Sequence, residues 1–208
     1  MIYIFDMDGT LIDSMSTFGG AITKFLDELG IDYPDDLIRT VTPLGFAGTV
    51  KYLKESFGLA LTDGEILNAL GSNMLDGYLH TIPAKGGVRD KLEKLKAEGH
   101  TLAVLTASPH VTLDPCLKRL GIDGLFTKIW SSDDFGKQKT DPSIYLDAVK
   151  ALGGEAGGAI FVDDNVEAVK AAKKAGLTAY GIYDKSGEAF IHEMKEVADR
   201  YLYNFSEI

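Results

Sequence analysis

Cysteine occurs once in the 208 residues, as Cys116, so no internal disulfide can brace the fold. Lys/Arg-rich runs are also missing, and with 21 basic against 31 acidic residues the net charge of −10 repels nucleic-acid backbones. No apolar segment is long enough to suggest a membrane span, and the N-terminus runs straight into a strand without a basic region or cleavage site. Repeats and low-complexity tracts are absent too, and the four histidines share no helical face or ligand spacing that would suit zinc. These absences lead us to expect a cytoplasmic protein that contacts neither nucleic acid nor membrane, with its state as monomer or dimer open. What remains is a composition of 45% hydrophobic and 25% charged residues, that of an ordinary globular chain.

The chain is organised around its first ten residues. Ile2 to Phe5 form a continuous apolar run of the kind shown by a strand buried on both faces, and the run breaks off into Asp6, Met7, Asp8 and Gly9. In open α/β sheets ligands bind beyond the carboxyl ends of strands, so Asp6 and Asp8 would face such a crevice. Two acids at i and i+2 can serve one cation or divide the work of nucleophile and proton carrier; an ordinary Asp/Gly turn is the alternative.

Phe18, Ala21, Ile22, Phe25, Leu26 and Leu29 follow the period of an amphipathic helix closed by Gly30. Further helices are expected near Asp35 to Val41, around Val50, Leu53 and Phe57, and through Ile66, Leu70, Met74, Tyr78 and Ile82. No strand pattern interrupts them. Beyond Pro83 helix and strand alternate: helix Val88–Glu98, strand Thr101–Leu105, helix Leu113–Leu120, strand Phe126–Trp130, helix Ser143–Leu152, strand Ala159–Val162, helix Val166–Ala175, strand Thr178–Ile182 and a last helix Phe190–Tyr201. This alternation predicts a doubly wound parallel α/β sheet with right-handed crossovers. The first strand has no neighbour to pair with locally, so it must join that sheet. We therefore expect an α/β core from residues 1–14 and 83–208 and an inserted all-helical cap domain, 15–82.

Polar residues gather at the ends of the later strands: Thr106, Ala107 and Ser108; Lys137 and Lys139; Asp163 and Asp164. Each has a plain alternative. The hydroxyls could cap the next helix, the lysines could be solvated, and the two acids could favour a helix N-terminus. Together, carboxylates, hydroxyl and lysine at four strand ends are what metal-assisted phosphoryl chemistry needs. Asp141 as N-cap and Pro142 in the first turn put Lys139 immediately before a helix, whereas Lys137 lies further back, behind Gly136.

In this order the set resembles the haloacid dehalogenase superfamily, in the branch of phosphoglycolate phosphatase-like and beta-phosphoglucomutase-like members with a small helical cap. The motifs are Phe5-Asp-Met-Asp-Gly-Thr-Leu-Ile-Asp-Ser14, Leu105-Thr-Ala-Ser108, Lys139-Thr-Asp-Pro142, and Phe161-Val-Asp-Asp164 followed by Ala171-Ala-Lys-Lys-Ala-Gly176. The resemblance implies a magnesium-dependent phosphatase of small phosphorylated metabolites. Asp6 would be the nucleophile and Asp8 the acid and base. Mg2+ would be held by Asp6, the Asp8 backbone carbonyl and Asp164, with Asp163 behind them. Thr106, the Ala107 amide, Ser108 and Lys139 would bind the phosphoryl group. It also implies that the cap acts as a lid, and that Phe46 in the loop Pro43 to Thr49 could line the substrate pocket; alternatively Gly45 and Gly48 only open the third cap helix. His110 could touch substrate or be an exposed turn histidine. The chain departs from the pattern in carrying Ala168, preceded by Glu167, where relatives often have an acid, and Thr140 where proline commonly follows the lysine. A sugar-phosphate mutase of the same architecture usually has valine at the position of Thr10, and a dehalogenase lacks the second aspartate, here Asp8. A regulatory protein that only senses phosphate is the non-enzymatic alternative.

Overall fold

A computed structural model of the chain describes residues 1–41 and 45–208, without the side chains of residues 45–47. Phe46, expected in the substrate pocket, has its side chain outside the described residues. The chain divides into two compact units, Met1–Asp13 with Ile82–Ile208, and Ser14–Thr81.

The first unit is built on a six-stranded parallel sheet. Its strands are β1 (Ile2–Phe5), β2 (Thr101–Thr106), β3 (Lys128–Ser131), β4 (Ala159–Asp163), β5 (Thr178–Ile182) and β6 (Arg200–Leu202), in the order β3-β2-β1-β4-β5-β6. The first strand thus lies at the centre, with β2 on one side and β4 on the other, where the direction of the crossovers reverses. Crevices for ligands in doubly wound sheets open at that point. Every residue of β1 and β4 is buried, as expected of strands covered on both faces.

Alternate residues of β1 point to opposite faces. Ile2 and Ile4 join a core with Ile144, Tyr145, Ala148 and Val149 of one helix and Ala168, Val169, Ala171 and Ala172 of the next. Those helices are Pro142–Ala151 and Val166–Lys174. On the other face Tyr3 stacks on Phe5 at 6.0 Å and Phe5 meets Phe205 at 5.8 Å between ring centres.

The last helix expected from the sequence is shorter than Phe190–Tyr201: it spans Ile191–Val197, and β6 follows. A three-residue edge strand has too few positions to display a period, which is why the helical pattern seemed to run on. Gly181 makes the pairing possible, since a Cβ there would stand 2.5 Å from Met194 Cγ and 3.2 Å from Tyr201 Cδ2. The third strand also starts later than Phe126, because Asp123–Leu125 form a 3₁₀ turn. The helix after β2 spans His110–Arg119, earlier than Leu113.

The second unit contains helices Met15–Glu28, Leu37–Val41, Gly45–Phe57 and Asp63–Asp76, the last continuing into a π-helical turn, Gly77–Thr81. Its core joins Ile22, Phe25, Leu26, Val50, Leu53, Ile66 and Leu70, residues whose spacing marked these helices, to Leu37 and Val41 of the short second helix. Thr62 and Glu65 form a reciprocal capping box at the start of the fourth helix. The wider π turn shifts the phase after Asp76, so Ile82 lies outside the helix in which its spacing had placed it.

Because Ile4 is fully buried at the centre of the sheet, Ile4→Ala is expected to cost about 2–5 kcal/mol of stability, read from the urea unfolding midpoint. A loss under about 1 kcal/mol would mean that β1 is not packed in the core as described.

Candidate active site

Asp6 leaves the end of β1 with its backbone N–H donating to the Val162 carbonyl of β4 at 3.0 Å. The chain then folds back on itself, with the amides of Leu11 and Ile12 both donating to the Met7 carbonyl, at 2.8 and 3.0 Å. Gly9 takes φ 72°, and a Cβ on it would lie 2.5 Å from Asp164 Oδ2. Only glycine permits both that conformation and that approach. The following residue, Thr10, is fully buried. Its hydroxyl donates to Asp164 Oδ1 at 3.1 Å and accepts from the Asp164 backbone N–H at 3.2 Å.

At the end of β2, Thr106 is buried and its Oγ1 accepts from the Ser108 backbone N–H at 3.1 Å. Ser108 in turn donates through Oγ to Asp8 Oδ2 at 2.5 Å. Neither hydroxyl caps the helix that follows, whose N-cap position is held by Pro109. Ala107 lies exposed between them. At the end of β4 the helix cap is Asn165, accepting from the amides of Glu167 and Ala168 at 2.9 and 3.2 Å. Asp163 and Asp164 are thereby left for other work. Asp163 Oδ1 accepts from the Asn165 N–H at 2.7 Å.

Lys139 brings these ends together. Its Nζ is 2.6 Å from Asp6 Oδ1 and 2.5 Å from Asp163 Oδ2, with the side chain only 12% exposed. The carbonyl of Lys139 accepts from the hydroxyl of Tyr145 at 2.7 Å, and Asp141 caps the next helix through the Ser143 N–H at 2.9 Å with Pro142 in its first turn. Lys137 instead pairs with Asp147 near the surface. Glu167 lies on an exposed helix face, paired with Lys170. His110 is held between Asp114 and Asp134, 2.9 Å from each. Those contacts raise its pKa, the Asp114 hydrogen bond foremost, and make it part of a partly exposed ion-pair network.

The carboxylates strain against one another. Burial pushes Asp6 up to about 7, helped by the charges of Asp163 and Asp8 and opposed by Lys139. Burial, followed by Asp163 and Asp6, holds Asp164 well above the usual carboxylate range. Burial alone would lower Lys139, but Asp163 and Asp6 more than offset it and keep the ammonium charged. Ligand oxygens of Asp6, Asp163 and Asp164 all lie within 4.8 Å of one another. One ammonium cannot neutralise three clustered carboxylates, and hard oxygen donors at this spacing suit a divalent cation. Since Lys139 and the Asn165 amide take up Asp163, the carboxylates that fit such an ion are Asp6 and Asp164. The Asp8 carboxylate is not in this cluster but faces Ser108; its expected contribution to the metal is the backbone carbonyl.

The parts that sequence reasoning had not assigned are the Thr10 hydroxyl, which ties the β1 loop to Asp164, and Tyr145, which holds the Lys139 carbonyl. Thr10 had a signal in its place directly after Gly9, but its partner is distant in sequence. Tyr145 has none beyond lying on the buried face of its helix.

Known proteins similar to this chain point to one family. The family model "Haloacid dehalogenase-like hydrolase" matches residues 3–182. A phosphoglycolate phosphatase of Aquifex aeolicus is 30% identical over 177 residues, which cover 84% of this chain and 81% of that protein. One of Pseudomonas putida is 28% identical over 188 residues, covering 87% and 68% of the two. Among solved structures, a candidate beta-phosphoglucomutase of Thermotoga maritima superposes with a TM-score of 0.87 at 24% identity, covering all of this chain and 96% of that one. A candidate haloacid dehalogenase-type hydrolase of Bacillus subtilis, solved bound to magnesium, superposes with a TM-score of 0.81 at 17% identity, covering 99% of this chain and 95% of that one. With its strand-end aspartates and lysine set in a matching sheet, the chain belongs to the haloacid dehalogenase-like hydrolases.

Proposed function

We propose that this hydrolase is a Mg2+-dependent phosphatase of small phosphorylated metabolites, working through an aspartyl phosphate on Asp6. The observation that carries the reading is the strand-end cluster itself: Asp6 against Lys139, beside Asp163 and Asp164, with Asp8, two residues along the chain from Asp6, bound to Ser108.

In this reading a carboxylate oxygen of Asp6 attacks phosphorus as the bond to the leaving oxygen breaks, and Asp8 gives that oxygen its proton. Asp8, now a carboxylate, takes a proton from water as the water attacks the aspartyl phosphate, releasing phosphate and restoring Asp6. The Ser108 amide donates to Thr106 Oγ1, so the Thr106 hydroxyl proton is available to a phosphoryl oxygen, together with the Ala107 amide. Lys139 offsets charge shared between Asp6 and the phosphoryl group. Mg2+, held by Asp6, Asp164 and the Asp8 carbonyl, would neutralise charge gathered on the transferring group.

The names of the relatives favour phosphoglycolate-like substrates, with sugar phosphates next. A mutase is less well supported, because Thr10 stands where mutases usually have valine and its hydroxyl is committed to Asp164. Among the described residues no helix is long and apolar enough to cross a membrane. The single, buried cysteine supports placing the enzyme in the cytoplasm.

The protein is expected to hydrolyse an activated aryl phosphate only with Mg2+ present; turnover unchanged by thorough chelation would defeat the reading. A screen of phosphorylated metabolites by released phosphate then identifies the substrate.

Asp6→Asn is expected to abolish turnover with the fold retained, as checked by circular dichroism, because an amide cannot form the acyl phosphate. Near-wild-type activity would remove Asp6 as nucleophile. Lys139→Ala is expected to lose about 3 kcal/mol of transition-state stabilisation, roughly a hundredfold in rate, while Lys137→Ala loses little. Single-turnover rates at saturating Mg2+ check the order, and the reverse order would move the phosphoryl-binding role to Lys137.

A further inference from the structure

A second buried ion pair lies behind the loop that carries Asp8 and Thr10, and no role in phosphoryl transfer has been given to it. Lys85 Nζ is 2.7 Å from Asp184 Oδ2, with the two side chains 17% and 4% exposed. The same ammonium donates to the Tyr183 carbonyl at 3.0 Å and to the carbonyl of Gly9. Its three N–H groups thus have three acceptors, one of them the Gly9 carbonyl in the loop between Asp8 and Thr10. Asp184 is fixed in turn, its Oδ1 accepting from the amide and hydroxyl of Ser186 at 2.8 and 2.6 Å. The backbone around Lys85 runs beside the same loop: the Lys85 N–H donates to the Leu11 carbonyl at 2.9 Å, and the Asp13 N–H to the Pro83 carbonyl at 3.0 Å.

A surface lysine would need no such arrangement, and although the third bond also satisfies a buried donor, the acceptor it uses is a carbonyl of the loop between Asp8 and Thr10. The Gly9 carbonyl belongs to the peptide that continues into Thr10. A peptide unit is planar, so fixing its carbonyl also fixes the direction of the Thr10 N–H and the position of the Thr10 Cα, from which its side chain departs. The Thr10 hydroxyl then makes both of its bonds to Asp164. A continuous line of contacts therefore runs from Asp184 through Lys85 and Gly9 to Thr10 and Asp164.

We propose that Lys85 is a positioning residue, anchored by Asp184, which sets the Gly9–Thr10 peptide and through it the placing of Asp164 for the metal and of Asp8 for proton transfer, an inference that rests on the roles given to Asp8 and Asp164 above. It touches neither substrate nor metal. Misplacement of reacting groups by an ångström or less lowers turnover more than it lowers substrate binding, so its loss separates kcat from KM.

Two variants test it. The Lys85→Met/Asp184→Leu double variant removes both charges together, leaving no buried carboxylate without a partner. The Lys85→Gln variant keeps a neutral donor beside Asp184, in the wall of a cavity of about 390 Å³ that Asp13, Tyr183 and Phe205 also line. Mg2+ binding is measured by titration calorimetry and turnover with an aryl phosphate, with folding checked by thermal melting. We expect Mg2+ affinity and kcat at saturating Mg2+ to fall about tenfold in the double variant, with a smaller fall in Lys85→Gln, while KM stays within about twofold. Wild-type Mg2+ affinity and kcat in either folded variant overturns the proposal, whatever the change in melting temperature, because a purely structural pair would move only the latter. If the wild-type protein itself neither binds Mg2+ nor turns over the aryl phosphate, the catalytic assignment fails, and this inference with it.

Discussion

The contact on which the site depends is the buried ammonium of Lys139 between Asp6 and Asp163. Placing β1 beside β4 brings two acidic strand ends together at the centre of the sheet, where water is scarce and each carboxylate raises the pKa of the next. Left to themselves, carboxylates buried in this way would take up protons. Lys139 opposes that uptake at Asp6 and Asp164, and the fold holds it in place to do so. Asp141 and Pro142 start the helix directly after it, Tyr145 holds its carbonyl, and the Phe161 ring lies 5.6 Å from its Nζ. The remaining excess of negative charge is what makes a divalent cation a fitting partner.

Much of this was legible because it is local. The apolar run Ile2 to Phe5 ending in acids, the alternation of elements after Pro83, and the cap signal Asp141-Pro142 each depend on neighbouring residues, and each corresponds to an observed element. The preference for Lys139 over Lys137 came from the same local logic, and the structure sets Lys139, not Lys137, against Asp6. What could not be read depends on pairs far apart in sequence. Nothing near Thr10 announces Asp164, and nothing near Lys85 announces Asp184. Where local rules failed, it was at short elements: β6 has three residues, too few for a period, and the π turn after Asp76 shifts the helical phase. The ends of β2 and β4 show a different limit. Thr106, Ser108, Asp163 and Asp164 all have side chains fit to cap a helix, yet Pro109 and Asn165 occupy those positions. A propensity names the residues able to do a job but not which of them is released for another.

A chain of net charge −10 seems a poor host for an anionic substrate until charge is considered locally. Surface charges separated by more than about 10 Å are screened by salt, whereas groups within the buried cluster are not. In the proposed reading, attraction for a phosphoryl group would come from Lys139, from amides at the end of β2 and from a cation bound at the cluster. The overall charge of the chain has little bearing on it.

Asp6 and Asp8 are two residues apart and chemically identical, so any division of labour between them must come from their surroundings. Asp6 is buried, bound to a lysine and part of the acidic cluster. Such a carboxylate is held in one orientation, as suits a nucleophile. Asp8 is partly exposed and receives a neutral hydrogen bond from Ser108. It therefore has access to solvent, as suits a group proposed to pass a proton to a leaving oxygen and take one from water. Carboxylates of a single site commonly acquire different roles in this way, through environment rather than identity. Here the difference follows from the bend at Gly9, which turns the chain beyond Asp8 back toward Asp164 while Asp6 stays with the strand.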